Sequence, residues 1–128
     1  MCAVSVPQGR ASKAGTDTMR AAVSERPGQI RLQERALPAC GPTDAIVRVT
    51  MTTICGTDVH ILRGEYPVEP GRIVGHEPVG VIHELGSAVT GYEVGDRVLV
   101  AAITPCGTCF FCQHGDGAQC SATRTNGR

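Results

Sequence analysis

The sequence predicts a mainly β domain, a compact barrel or sandwich with only short helices. Apolar and polar residues alternate with period 2 over several short segments, Gly- and Pro-containing turns separate those segments, and no stretch carries a long 3.6-residue apolar stripe. The 128-residue length fits one domain of the usual size of about 100–150 residues. A hydrophobic fraction of 41% and a charged fraction of 19% sit near globular averages, which excludes wholesale disorder.

Residues 1–18 are small and polar without period, and read as a disordered tail ahead of a domain over 19–128; Met19 offers an alternative start. Segments 21–25 and 30–37 flank Pro27-Gly28 as the arms of a hairpin. The best strand is 44–53, with Ala45, Val47, Val49 and Met51 on one face and Arg48, Thr50 and Thr52 on the other, broken only by Ile46. Segment 79–85 repeats the pattern, with Val79, Val81 and Leu85 facing one way and His83 interrupting. Segment 98–103 is apolar on both faces and reads as a fully buried strand. Thr57 or Asp58 can cap a short helical turn through Val59-His60-Ile61-Leu62, which Gly64 ends.

Lys+Arg and Asp+Glu both number 12, and the basic residues, all but one of them Arg, are scattered. That balance argues against a nucleic-acid or anionic-membrane surface. No apolar run approaches the roughly 18 residues of a membrane helix. The cysteines number 7, an odd count, and the first residues lack the apolar core of a secretory signal. A secreted disulfide scaffold is therefore the weaker reading, and a cytoplasmic setting with metal-binding or catalytic cysteines the stronger.

Cys106, Cys109, Cys112 and Cys120 are spaced C-x2-C-x2-C-x7-C. Two intervening residues let paired thiolates turn inward on one loop, the knuckle of tetrahedral zinc sites. Four sulfurs close the coordination sphere, so the site reads as structural. Buried thiols or a disulfide pair are the plain alternative, and an iron–sulfur cluster the sharper one. Bacterial ferredoxin motifs, however, continue with x3-C-P, whereas here Cys120 comes after seven residues and Ser121 follows. His114, inside the lobe, reads as solvated. Gly115-Asp116-Gly117 lacks the third glycine and preceding strand of a dinucleotide loop.

A second constellation is separate. Cys55-Gly56-Thr57-Asp58-Val59-His60 follows the strongest strand, and Gly75-His76-Glu77 precedes another. Either alone is weak, since a cysteine after a strand is usually core and a loop His-Glu usually surface. Together they place a thiolate, an imidazole and carboxylates at strand ends, the donor types of a catalytic zinc with an open position. Asp58 could hold the second imidazole N–H.

Those two motifs, then Gly95-Asp96-Arg97-Val98, then the four-cysteine lobe, resemble in order and spacing the zinc-dependent medium-chain alcohol dehydrogenases. The resemblance runs from Arg20 to about Cys120. It implies the GroES-like catalytic domain of those enzymes, a partly open β barrel with short helices and a zinc-binding cysteine lobe. Cys55 and His76 match the catalytic-zinc ligands, and Glu77 the acid that can enter the zinc shell. Thr57 matches the hydroxyl that contacts the substrate oxygen, His60 the outer end of the proton relay, and Asp58 the partner of the ligand histidine. Cys106, Cys109, Cys112 and Cys120 match the structural-zinc lobe. The implied reaction is reversible oxidation of a small alcohol to an aldehyde or ketone, with hydride passing to NAD or NADP, in a full-length enzyme expected to be a homo-oligomer.

Family members continue into a Rossmann domain that carries the cofactor, and none of its signals occurs before Arg128. The chain thus reads as a C-terminally truncated fragment, with a non-catalytic zinc-binding or interaction module as the alternative. Retention of Cys55, Thr57, His60, His76 and Glu77 argues against that alternative, because a structural module needs only the four cysteines. The purified 128-residue chain is expected to show no cofactor-dependent alcohol oxidation; measurable turnover in a nicotinamide absorbance assay would contradict the fragment reading.

Overall fold

The computed structural model describes residues 2–4 and 18–122. Seven strands form two sheets: β1 (Cys2–Val4), β4 (Ala45–Thr52), β6 (Pro78–Leu85) and β7 (Arg97–Leu99) in that order, and β3 (Gln29–Ala36), β2 (Thr18–Arg26) and β5 (Arg72–Ile73) in that order. Two short α-helices, α1 (Gly56–Arg63) and α2 (Phe110–Gln113), and a 3-10 turn at Gly117–Gln119 complete the described residues. All pairings are antiparallel except β1 on β4. This is the mainly β fold with short helices that the sequence predicts. Among the described residues there is no dinucleotide-binding strand–helix–strand unit, and no helix is long and apolar enough to cross a membrane.

β2 and β3 form the expected hairpin around Pro27-Gly28. The turn is tied to α1, because the Gly28 N–H donates to the Leu62 carbonyl at 2.6 Å. β4 explains why Ile46 breaks its alternation: the strand is buried on both faces at its N-terminal end. Ile46 packs with Met19, Ala21 and Val23 of β2, while Val47 packs with Ile82 and Val100. Ile46 thereby joins the two sheets and Val47 anchors the β4–β6 pair, in which it lies opposite Ile82.

The structure corrects three sequence expectations. On β6 the buried face is Pro78, Gly80 and Ile82 rather than Val79, Val81 and Leu85. Packing against Val47 sets which face turns inward, and period 2 alone is blind to that choice. The strand read over 98–103 is only Arg97–Leu99, with Leu99 exposed and Val100 the buried residue. The N-cap of α1 is Cys55, not Thr57 or Asp58. Within the segment 1–18, Cys2–Val4 pair with Ile46, Val47 and Arg48, and Thr18 begins β2. An open strand edge is a template for any extended segment that reaches it, and β4 offers one. Residues 5–17 lie outside the described residues.

Ile82→Ala should lower unfolding free energy by about 2–5 kcal/mol, since the side chain is fully buried. Leu99→Ala on the exposed edge strand should change it by less than about 0.5 kcal/mol. Denaturant melts of both variants check the contrast.

Candidate functional site

Two clusters of metal-ligating side chains are present among the described residues. The first stands where the two sheets meet. Three residues past β4, Cys55 caps α1 in an extended conformation, with φ −90° and ψ 161°. The Asp58 carboxylate closes that cap by accepting the Cys55 N–H at Oδ2, 2.9 Å. Gly64, at φ 76°, ends the helix in the left-handed conformation that favours glycine. The returning chain is pinned to β2, with the Gly71 N–H on the Ser24 carbonyl at 2.8 Å and the Val74 N–H on the Ala22 carbonyl at 2.9 Å. Gly75, at φ 106°, then turns the backbone toward β6 and sets down His76 and Glu77.

Donor atoms of Cys55, His76 and Glu77 consequently lie within 4.8 Å of one another. The Glu77 carboxylate accepts a hydrogen bond from the Thr53 hydroxyl. That bond, helped by the Cys55 thiol and the adjacent His76, holds its carboxyl below the ordinary range against an opposing desolvation effect. Thr57 Oγ1 lies 3.8 Å from Cys55 Sγ. Asp58 Oδ1 is buried without a hydrogen-bond partner and faces His76 Nδ1 at 3.6 Å. A buried carboxylate oxygen without a hydrogen-bond partner is costly. Its position beside the ring suits an imidazole that presents N–H to Asp58 and leaves Nε2 for a cation. His60 instead pairs with Glu65, through Nδ1 and Oε2, on the exposed side of α1.

The second cluster lies in the loop after β7. Donor atoms of Cys106, Cys109, Cys112 and Cys120 all fall within 4.8 Å. Four sulfurs each about 2.3 Å from a common centre at tetrahedral angles stand about 3.8 Å apart. The Cys109–Cys112 and Cys106–Cys112 sulfurs are 3.5 and 4.0 Å apart, bracketing that value. The Cys106 N–H points at Cys120 Sγ at 3.3 Å, and the Thr108 hydroxyl at Cys106 Sγ at 3.5 Å. Backbone N–H groups of Cys112 and Ser121 draw the Cys109 thiol down from its ordinary value, while burial pushes Cys112 up to about 12. His114 stays out of the cluster, its ring tilted over Phe110 and its Nδ1 on the Phe110 carbonyl at 2.8 Å.

Every predicted ligand is therefore in one of the two clusters, Thr57 and Asp58 flank the first, and His60 faces Glu65. Thr53 and the pairing of Glu65 with His60 escaped the sequence reading. The signal for Thr53 lies in the cross-strand register, which no single segment displays. For Glu65 it lies in the tight turn after α1, where its N–H bonds back to the His60 carbonyl at 2.9 Å.

Residues 41–128 match the alcohol dehydrogenase GroES-like domain family, and the chain belongs to it. Its relatives include zinc-type alcohol dehydrogenases. An alcohol dehydrogenase of Cupriavidus necator is 57% identical over 104 residues, covering 81% of this chain and 28% of the relative. Alcohol dehydrogenase TADH from Thermus sp. ATN1 superposes with a TM-score of 0.76 at 36% identity, over 80% of this chain and 30% of its own. An alcohol dehydrogenase from E. coli CFT073, solved with its cofactor NADH, has a TM-score of 0.71 at 36% identity, over 81% of this chain and 30% of its own. The chain thus spans less than a third of the length of these proteins.

Asp58→Ala should cost about 1 kcal/mol through loss of the cap on α1. Thermal melts measure the loss.

Proposed function

We propose that the chain supplies the catalytic domain of a zinc-dependent, NAD(P)-linked alcohol dehydrogenase, which interconverts a small alcohol and its aldehyde or ketone by hydride transfer. The observation that carries this reading is the convergence of Cys55, His76 and Glu77, with a buried carboxylate oxygen of Asp58 3.6 Å from the His76 ring. A purely structural module has no use for that cluster. The zinc-type relatives support the metal, and the NADH-bound neighbour supports a nicotinamide partner. The proposal extends to a cytoplasmic homo-oligomer for the full-length enzyme.

Cys55 and His76 would hold the catalytic zinc, with Glu77 as an exchangeable donor beside them. Zinc bound there supplies Lewis-acid polarisation of the substrate oxygen. Asp58 fixes the ring of His76 and its tautomer. Thr57, beside the Cys55 sulfur, would relay the proton of the substrate hydroxyl, accepting it while giving up its own hydroxyl proton toward His60. His60 lies one turn further along α1, on the same side of the helix, and passes that proton outward while Glu65 holds its ring. The four-cysteine lobe would hold a structural zinc that fixes a loop with little apolar burial of its own.

Metal analysis tests the reading. Purified chain should bind two zinc ions, the weaker lost in His76→Ala and the tighter in Cys106→Ser. Zinc affinity at the lobe should fall as pH falls, because Cys112 keeps its proton until about 12 and the metal must displace it. A single zinc unaffected by His76→Ala would leave only the structural module. A coloured preparation containing iron would replace zinc at the lobe with an iron–sulfur cluster.

A further inference from the structure

Thr53 stands outside every assignment made so far. Its place follows from the β4–β6 register. Met51 lies opposite Val79 and Thr52 opposite Pro78, so the next step along both chains sets Thr53 opposite Glu77. Directly opposed residues of an antiparallel pair bring their Cβ atoms to about 4.5–5.5 Å, close enough for a hydroxyl to reach a carboxylate. The Thr53 hydroxyl and the Cys55 thiol both reach the Glu77 carboxylate, while Ile54 between them is 85% exposed. The Thr53 hydroxyl donates to Glu77 Oε2. The same carboxylate lies within 4.8 Å of the Cys55 and His76 donor atoms.

We infer that Thr53 is a positioning residue: its hydroxyl anchors one oxygen of Glu77, so that the carboxylate offers a single, oriented oxygen to a cation held by Cys55 and His76. The inference rests on the reading of those two residues as metal ligands. An unanchored Glu77 would sample several rotamers on its way to the cation, and holding it in one removes that entropic cost. A hydrogen bond to a charged carboxylate also has the strength to matter. The threonine methyl contributes nothing to this, so serine should replace threonine and valine should not.

The test is a Co2+ titration of the full chain with its four-cysteine lobe already loaded with Zn2+, followed by absorption and by competition with a chelator. Thr53→Val should weaken binding at the Cys55–His76 site about tenfold, with Thr53→Ser close to the unsubstituted chain. Thr53→Val added to Glu77→Ala should cause no further loss, because the group it anchors is gone. Zinc content of the lobe reports in the same samples that each variant is folded. Equal Co2+ affinity in Thr53→Val and the unsubstituted chain would overturn the role of Thr53. So would equal losses in the serine and valine variants, or full additivity with Glu77→Ala. If the unsubstituted chain takes up no Co2+ outside the lobe, the metal-site reading itself fails, a result distinct from all of these.

Discussion

The antiparallel pairing of β4 with β6 is the constraint on which the rest depends. Val47 and Ile82, opposed in that pair and both fully buried, lock its register from the core side. Burying each side chain contributes about 1.5–3 kcal/mol, and a slip by one residue would turn both outward. The same register sets the end of β4 beside the start of β6. Cys55, just past one strand, and His76-Glu77, just before the other, therefore meet without any contact of their own having to bring them together.

The second sheet supplies the other half of the placement. The segment leading to His76 is held on β2 by main-chain hydrogen bonds, and the β2–β3 turn is held on the end of α1. Ile46 carries the link through the interior by packing on β2. The mixed sulfur–nitrogen–oxygen cluster is thus fixed from both sheets while its donors stay only half-buried. The cysteine lobe has the opposite character. Phe110 is exposed and Cys120 is its buried residue, so four like donors at tetrahedral spacing offer the cross-linking that apolar packing does not.

Much of this was legible in the chain. Period-2 alternation located β4 and β6, Pro27-Gly28 located the hairpin, and Gly64 located the end of α1. The C-x2-C-x2-C-x7-C spacing marked the lobe because its ligands are close in sequence, and a short loop can bring them together only on itself. Cys55 and His76-Glu77 were legible by type and order rather than by distance. What the chain concealed were properties set by a partner element. The inward face of β6 depends on Val47, the exposure of Leu99 on its edge position, and the strand at Cys2–Val4 on an open edge of β4.

The sequence by itself determined the mainly β class and the two groups of metal-ligating residue types, because each is encoded in local spacing and residue chemistry. Only the tertiary structure decided that the Asp58 oxygen beside His76 is buried without a hydrogen-bond partner, that Glu65 pairs with His60, and that Thr53 holds Glu77. Asp58 meets His76 from a different element, Thr53 meets Glu77 only through the strand register, and the turn after Gly64 brings Glu65 back to His60. The physical reason is that a hydrogen bond depends on where two groups end up in space, and chain folding sets that separation.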